Sequence, residues 1–232
     1  MDNRSQHLLD RVGAAAGLAA VLLLVALFMF FPALPAPEHG IAAIAREAGE
    51  NSDVLLLAAY VGALMTGALL LFGAVLAGRL RRAEGPSGGW WLVALIGIAG
   101  TSIGIVGNVL AIVFVRAVGH GARGSELWVG YGADHWLGVL TAIPLALFLL
   151  GASMGARATG SLPRTLTWLG LAAGALFVVG AGSVTGDEVD GGVLGLPLLL
   201  GYLGLLIWIV AVSISMLRGP YPAIAEPAAS LI

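Results

Sequence analysis

The 232-residue sequence contains no cysteine, and none of its eleven basic residues is lysine. Without a thiol there is no disulfide, no thiolate nucleophile and no iron–sulfur ligation. Without a lysine there is no Schiff base, which excludes a retinal protein and a pyridoxal enzyme. Charge of either sign is scarce: Asp, Glu, Lys and Arg together make up 10% of the chain, whereas a soluble domain carries about 25%. A net charge of −2, with no run of like charges, leaves nothing to hold nucleic acid.

Apolar residues fill the space, at 59% of the chain and a mean hydropathy of +0.99. A bilayer core about 30 Å thick takes roughly 20 apolar residues per helix. Stretches of that length without Asp, Glu or Arg predict six membrane spans, near 12–31, 54–78, 90–115, 135–156, 165–186 and 192–217. The expected fold is all-α, a polytopic membrane helix bundle over residues 1–219, followed by a loosely ordered tail at 220–232. The apolar run from Val12 to Phe31 is longer than the core of a secretory signal and reads as a retained first helix.

Arginine placement sets the expected orientation, because short cytoplasmic loops keep basic residues. With the N-terminus inside, Arg4, Arg11, Arg79, Arg81, Arg82, Arg157, Arg164 and Arg218 are cytoplasmic, and only Arg46, Arg116 and Arg123 lie outside. Both termini are then cytoplasmic and the outer face is acidic. Trp90, Trp91 and Trp168 fit the inner headgroup level, and Trp128, Tyr131 and Trp136 the outer one. In the outer loop from Pro32 to Asp53, Ile41, Ile44 and Ala48 share one helical face, which suggests a short helix lying on the membrane surface.

Small residues let helices approach closely in lipid. Gly97, Gly100, Gly104 and Gly107 form one flat face of the third span, for packing against the protein's own helices or for a homodimer. The pair of spans two and three also resembles the pair four and five in layout: Gly78-Arg79 leads to Trp91-Leu92, and Ala156-Arg157 to Trp168-Leu169. That is the pattern of a parallel duplication.

Ionisable residues at membrane depth mark proton paths, voltage sensors and counter-ions, and the middles of all six spans have none. His7, His39, His120 and His135 lie in loops or at helix ends, which disfavours haem ligated within the bilayer. Gly100-Thr101-Ser102-Ile103-Gly104 matches the G-x-S-x-G pattern of serine hydrolases, but that motif works at a strand-to-helix turn with a histidine in reach. No catalytic residue is assigned. Asn108 is the most polar side chain at depth, and its amide needs partners, for which Thr66, Thr141 and Ser183 are candidates. A ligand held by the bundle is expected at this level, with Asn108, Ser102 and Thr101 as candidate contacts. At the outer face His39, His120, Asp134, His135, Asp187, Glu188 and Asp190 could hold a divalent metal, although charge sorting alone would leave a solvated acidic rim there.

The segment Leu162-Pro163-Arg164-x-Leu166-x-Trp168-Leu169-Gly170, followed by Ala173-Gly174, resembles an inner-turn-and-helix pattern of small bacterial membrane proteins grouped as a domain of unknown function. The resemblance implies a six-helix protein of the bacterial plasma membrane and brings no functional residues. The expected function is a non-enzymatic membrane protein, binding a small molecule or lipid or serving as an accessory subunit of a membrane assembly. The alternatives are a small permease or the substrate-binding membrane component of a multi-subunit transporter, and a membrane enzyme with the outer-face metal site. No cofactor is predicted. The expected partners are the lipid bilayer and a membrane protein or second copy seated on the small-residue faces.

Overall fold

A computed structural model describes residues 3–32, 34, 39–86, 88–122, 124–182 and 195–218, with the side chains of 134 and 135 outside the description. The described residues form helices and no strands: α1 (Asn3–Phe30), α2 (Ile41–Glu50), α3 (Ser52–Glu84), α4 (Trp90–Gly100), α5 (Ile103–Gly119), α6 (Ser125–Leu140), α7 (Ala142–Thr159), α8 (Arg164–Ala181) and α9 (Gly195–Leu217). With α4–α5 and α6–α7 each taken as one rod, six helices are long and apolar enough to cross a membrane. The helical form follows from the solvent: with no water in the hydrocarbon, each backbone N–H and C=O must find its partner within the segment.

The six predicted spans are all present, with two differences. The fourth begins at Ser125, ten residues earlier than its charge-free stretch, because Asp134, which bounds that stretch, is carried inside the helix. The third and fourth are each interrupted near the middle, at Thr101–Ser102 and at Thr141. The predicted tail and the stretch with Asp187, Glu188 and Asp190 lie outside the described residues.

The end of the bundle that carries Arg79, Arg81, Arg82, Arg157 and Arg164 is tied by specific contacts. Asp10 of α1 pairs with Arg79 (3.7 Å) and Arg82 (3.8 Å) of α3. Glu84 Oε2 accepts the Trp90 backbone N–H at 2.9 Å, which places a carboxylate at the positive end of α4. The Arg81 guanidinium lies over the Trp91 ring at 5.0 Å and that of Arg157 over Trp168 at 5.2 Å. The two turns share a device, but out of register with the suspected duplication, which pairs Arg79, not Arg81, with Arg157. The interruptions also fall in the second span of one pair and the first span of the other, so the correspondence goes no further than the turns.

Above that end lies the densest part of the core. Phe72, Phe148 and Trp208 are fully buried and meet edge to face at 5.8–6.4 Å, and the Trp208 indole donates to Leu166 O at 3.0 Å. Glycines let the helices close around this triad. A methyl group added to Gly97 would collide with the Phe148 backbone, and one added to Gly151 would lie 2.5 Å from Ala94 N, so α4 and α7 touch backbone to backbone. The glycine face of the third span is thus used inside the fold.

At the opposite, far end, α2 forms as its face of Ile41, Ile44 and Ala48 predicts. Its apolar face is turned to the protein. Ile44 and Ala48 are fully buried against a cluster with Phe114, Val115, Leu127 and Tyr131. The apolar face is covered by the chain's own α5 and α6, which the sequence pattern alone does not distinguish from a bilayer.

Candidate functional site

The two interruptions have different local causes and the same depth. In the third span, Gly100-Thr101-Ser102 couples a residue of low helix propensity to two hydroxyl residues that compete for backbone groups. The hydrogen bonds shorten from i→i−4 to i→i−3: Thr101 N to Ile98 O, Ser102 N to Ala99 O, Gly104 N to Thr101 O and Ile105 N to Ser102 O, at 2.9–3.1 Å. In the fourth span, Pro144 has no N–H to offer Leu140 O and its ring crowds that carbonyl. The ladder lapses at that one bond, while Thr141 keeps helical angles (φ −61°, ψ −20°) and the i→i−4 bonds from Thr141 N to Leu137 O and from Leu145 N to Thr141 O are made. The breaks adjoin, since a methyl on Gly100 would sit 2.7 Å from Pro144 Cβ.

A cavity of about 300 Å³ occupies the level of the breaks, walled by Leu24 and Phe28 of α1, Met65, Thr66 and Leu69 of α3, Thr101, Gly104, Gly107 and Asn108 of the third span, Gly138, Thr141 and Leu145 of the fourth, and Tyr202 and Leu205 of α9. A second cavity of about 340 Å³ lies toward the far end, between Leu27, Leu34, Leu55, Ala58, Ala59, Ala111, Phe114, Val115 and Tyr131. Asn108 lines both. Neither wall contains a charged residue.

The polar groups of the first cavity are occupied in a way that matters. Thr66 Oγ1 donates to Gly62 O (2.9 Å), Thr101 Oγ1 to Ile98 O (2.6 Å) and Thr141 Oγ1 to Leu137 O (2.7 Å). Each hydroxyl has spent its proton on its own helix and keeps its lone pairs. Asn108 Nδ2 donates to Gly104 O at 2.7 Å, not to Thr66 or Thr141 as expected; Ser183 lies outside the described residues. A back-bond to its own helix needs no partner helix to be positioned. The Asn108 Oδ1 atom packs on Gly62, where an added methyl would strike it.

Of the three candidate ligand contacts, Asn108 and Thr101 line the cavity, and Thr101 is buried. Ser102 does not line it: its side chain is exposed. Thr66, Thr141 and Tyr202 join the site. Thr66 and Thr141 are named by the sequence only as bonding partners, and Tyr202 carries no signal among the apolar residues of α9. Pro144, inside a predicted span, is the visible sign of the fourth-span break.

The metal candidates are not assembled by the described residues. His39 is exposed before α2. His120 is exposed at the end of α5, with Nδ1 directed at Arg116 O (2.7 Å). Asp134 and His135 lie on α6 with their side chains undescribed, and Asp187, Glu188 and Asp190 lie outside the description. Among the described residues no three His, Cys, Asp or Glu side chains come together to hold a metal ion.

No protein-family model matches this chain, and no similar curated protein or solved structure was found for it.

Proposed function

We propose that this chain is a non-enzymatic, multi-pass protein of a bacterial plasma membrane that holds a small apolar molecule or lipid at the level of its two helix breaks, alone or as a subunit of a larger assembly. The supporting observation is the cavity of about 300 Å³ between the broken spans, lined by Thr101, Asn108 and Thr141. Its size and its mostly apolar wall with a few convergent polar groups suit a ligand site. Both termini are cytoplasmic in this reading, on the strength of the arginine distribution. With no native cysteine, single cysteines at Ala83 and Ala122 report sidedness directly: an impermeant maleimide added to intact cells should label Ala122→Cys and spare Ala83→Cys.

Full-length protein purified in mild detergent should carry a small molecule detectable by native mass spectrometry. Gly138 lines the cavity, and a methyl added to it meets nothing within 4 Å, so Gly138→Leu should remove the bound mass while the protein still folds and elutes as a single species, its melting temperature lowered only by the lost ligand stabilisation. A wild-type protein with no adduct, in detergent and in lipid nanodiscs alike, would defeat the reading.

A permease is the second reading, favoured by the paired breaks, because interrupted helices meeting at mid-membrane build the binding sites of many transporters. Flux of the identified ligand across proteoliposomes would separate carrying from holding.

A further inference from the structure

We infer that the occupant of this cavity is an uncharged, single-chain amphiphile with a hydroxyl head, taken sideways from the bilayer; this rests on the binding role proposed above. Three observations carry it. First, none of the residues lining the two cavities is charged. A carboxylate or phosphate drawn in from the headgroup layer would be desolvated without a counter-ion, which is costly in a low-dielectric interior.

Second, the polar inventory favours a head that donates. The hydroxyls of Thr66, Thr101 and Thr141 have given their protons to their own helices; Thr66 and Thr101 are almost closed off, at 4% and 1% exposed, and the half-buried Thr141 keeps its lone pairs toward the cavity. Asn108, whose Oδ1 packs on Gly62, keeps one N–H beyond the bond to Gly104 O. A hydroxyl head gives a proton to Thr141 Oγ1 and accepts from that remaining N–H. An alkane does neither, and an ester only accepts.

Third, the shape fits one chain and opens to lipid. Asn108 lines both cavities, and their linings along α5 run from Gly104 to Val115, about 16 Å at 1.5 Å per residue. The rim of the first includes Phe28, 67% exposed, and the exposed Gly138. They stand on the same belt as Val25 and Val106, which face lipid. The head sits between Asn108 and Thr141, and the chain runs past Ala111 toward Phe114.

The test is photoaffinity labelling of the full chain in phosphatidylcholine vesicles, using dodecanol with a diazirine at its tail. The expected adducts fall on Leu55 or Phe114. Unlabelled dodecanol should compete, and laurate and dodecane should compete at least tenfold less well. Losing the head's hydrogen bonds should weaken labelling about threefold to tenfold in Asn108→Leu; Thr141→Val, a smaller change, should weaken it less, and Gly138→Leu should abolish it. Adducts at Leu55 or Phe114 that laurate displaces as well as dodecanol, or that both polar variants leave unchanged, would overturn the ligand class and spare the cavity. Adducts scattered over the lipid-facing belt and indifferent to Gly138→Leu would overturn the cavity reading as well.

Discussion

The two halves of this bundle are built from the same helices and packed by different rules. In the half at the arginine end, α4 and α7 touch backbone to backbone at Gly97 and Gly151, three aromatic rings fill the centre, and ion pairs and ring–guanidinium contacts tie the turns. In the far half, beyond the breaks, the continuing segments α5 and α6 leave two cavities and are closed at the top by a ten-residue helix, α2. Lipid solvates apolar surface as well as protein does, so close packing is what binds helices in a membrane. A half that gives up packing gives up stability, and a binding site is the natural return for it.

That contrast can be broken at several points, taken here from the largest expected effect to the smallest. Trp208→Ala removes a ring of the triad and the bond to Leu166 O and should cost about 3–5 kcal/mol, read as a fall in the melting temperature in detergent. Gly97→Ala forces a methyl into the Phe148 backbone and should cost about 1–3 kcal/mol. Its counterpart in the far half, Gly104→Ala, meets only Thr66 Oγ1 at 3.6 Å and should be neutral or stabilising by up to about 1 kcal/mol through helix propensity. Equal losses at the two glycines would erase the contrast. Ile44→Ala should release α2 locally, seen as faster maleimide labelling of a cysteine at Ala48, while the overall melt moves by about 1 kcal/mol or less. Gly138→Leu, at an open position, should change the stability of the ligand-free protein by no more than about 0.5 kcal/mol.

The spans were legible because length, apolarity and the exclusion of charge are properties of each segment alone, and bilayer thickness fixes the scale. Where a charged residue rides within a helix the same criterion errs: Asp134 hid the first ten residues of the fourth span, and with them the burial of Tyr131 on Phe114, 5.9 Å apart. The breaks were written in Gly100-Thr101-Ser102 and Pro144, but a hydropathy reading averages over them. Asn108 could be singled out as the polar group at depth. Its bond to Gly104 O could not, because an amide in a helix can turn to its own backbone or to a neighbour, and the choice depends on which faces meet. The cavity was not legible for the same reason: a void belongs to a set of helices, and no residue of any one of them announces it.

The contact of Gly100 with Pro144 carries a mechanical consequence. Below it the chain is clamped, with no slack between the α4 and α7 backbones. Above it α5 packs on α6 and also on α3, through Asn108 on Gly62 and Gly104 on Thr66. Because α3 runs unbroken from the clamped half into the far half, any tilt of α5 and α6 about this fulcrum must slide along α3 and strain the contact at Asn108.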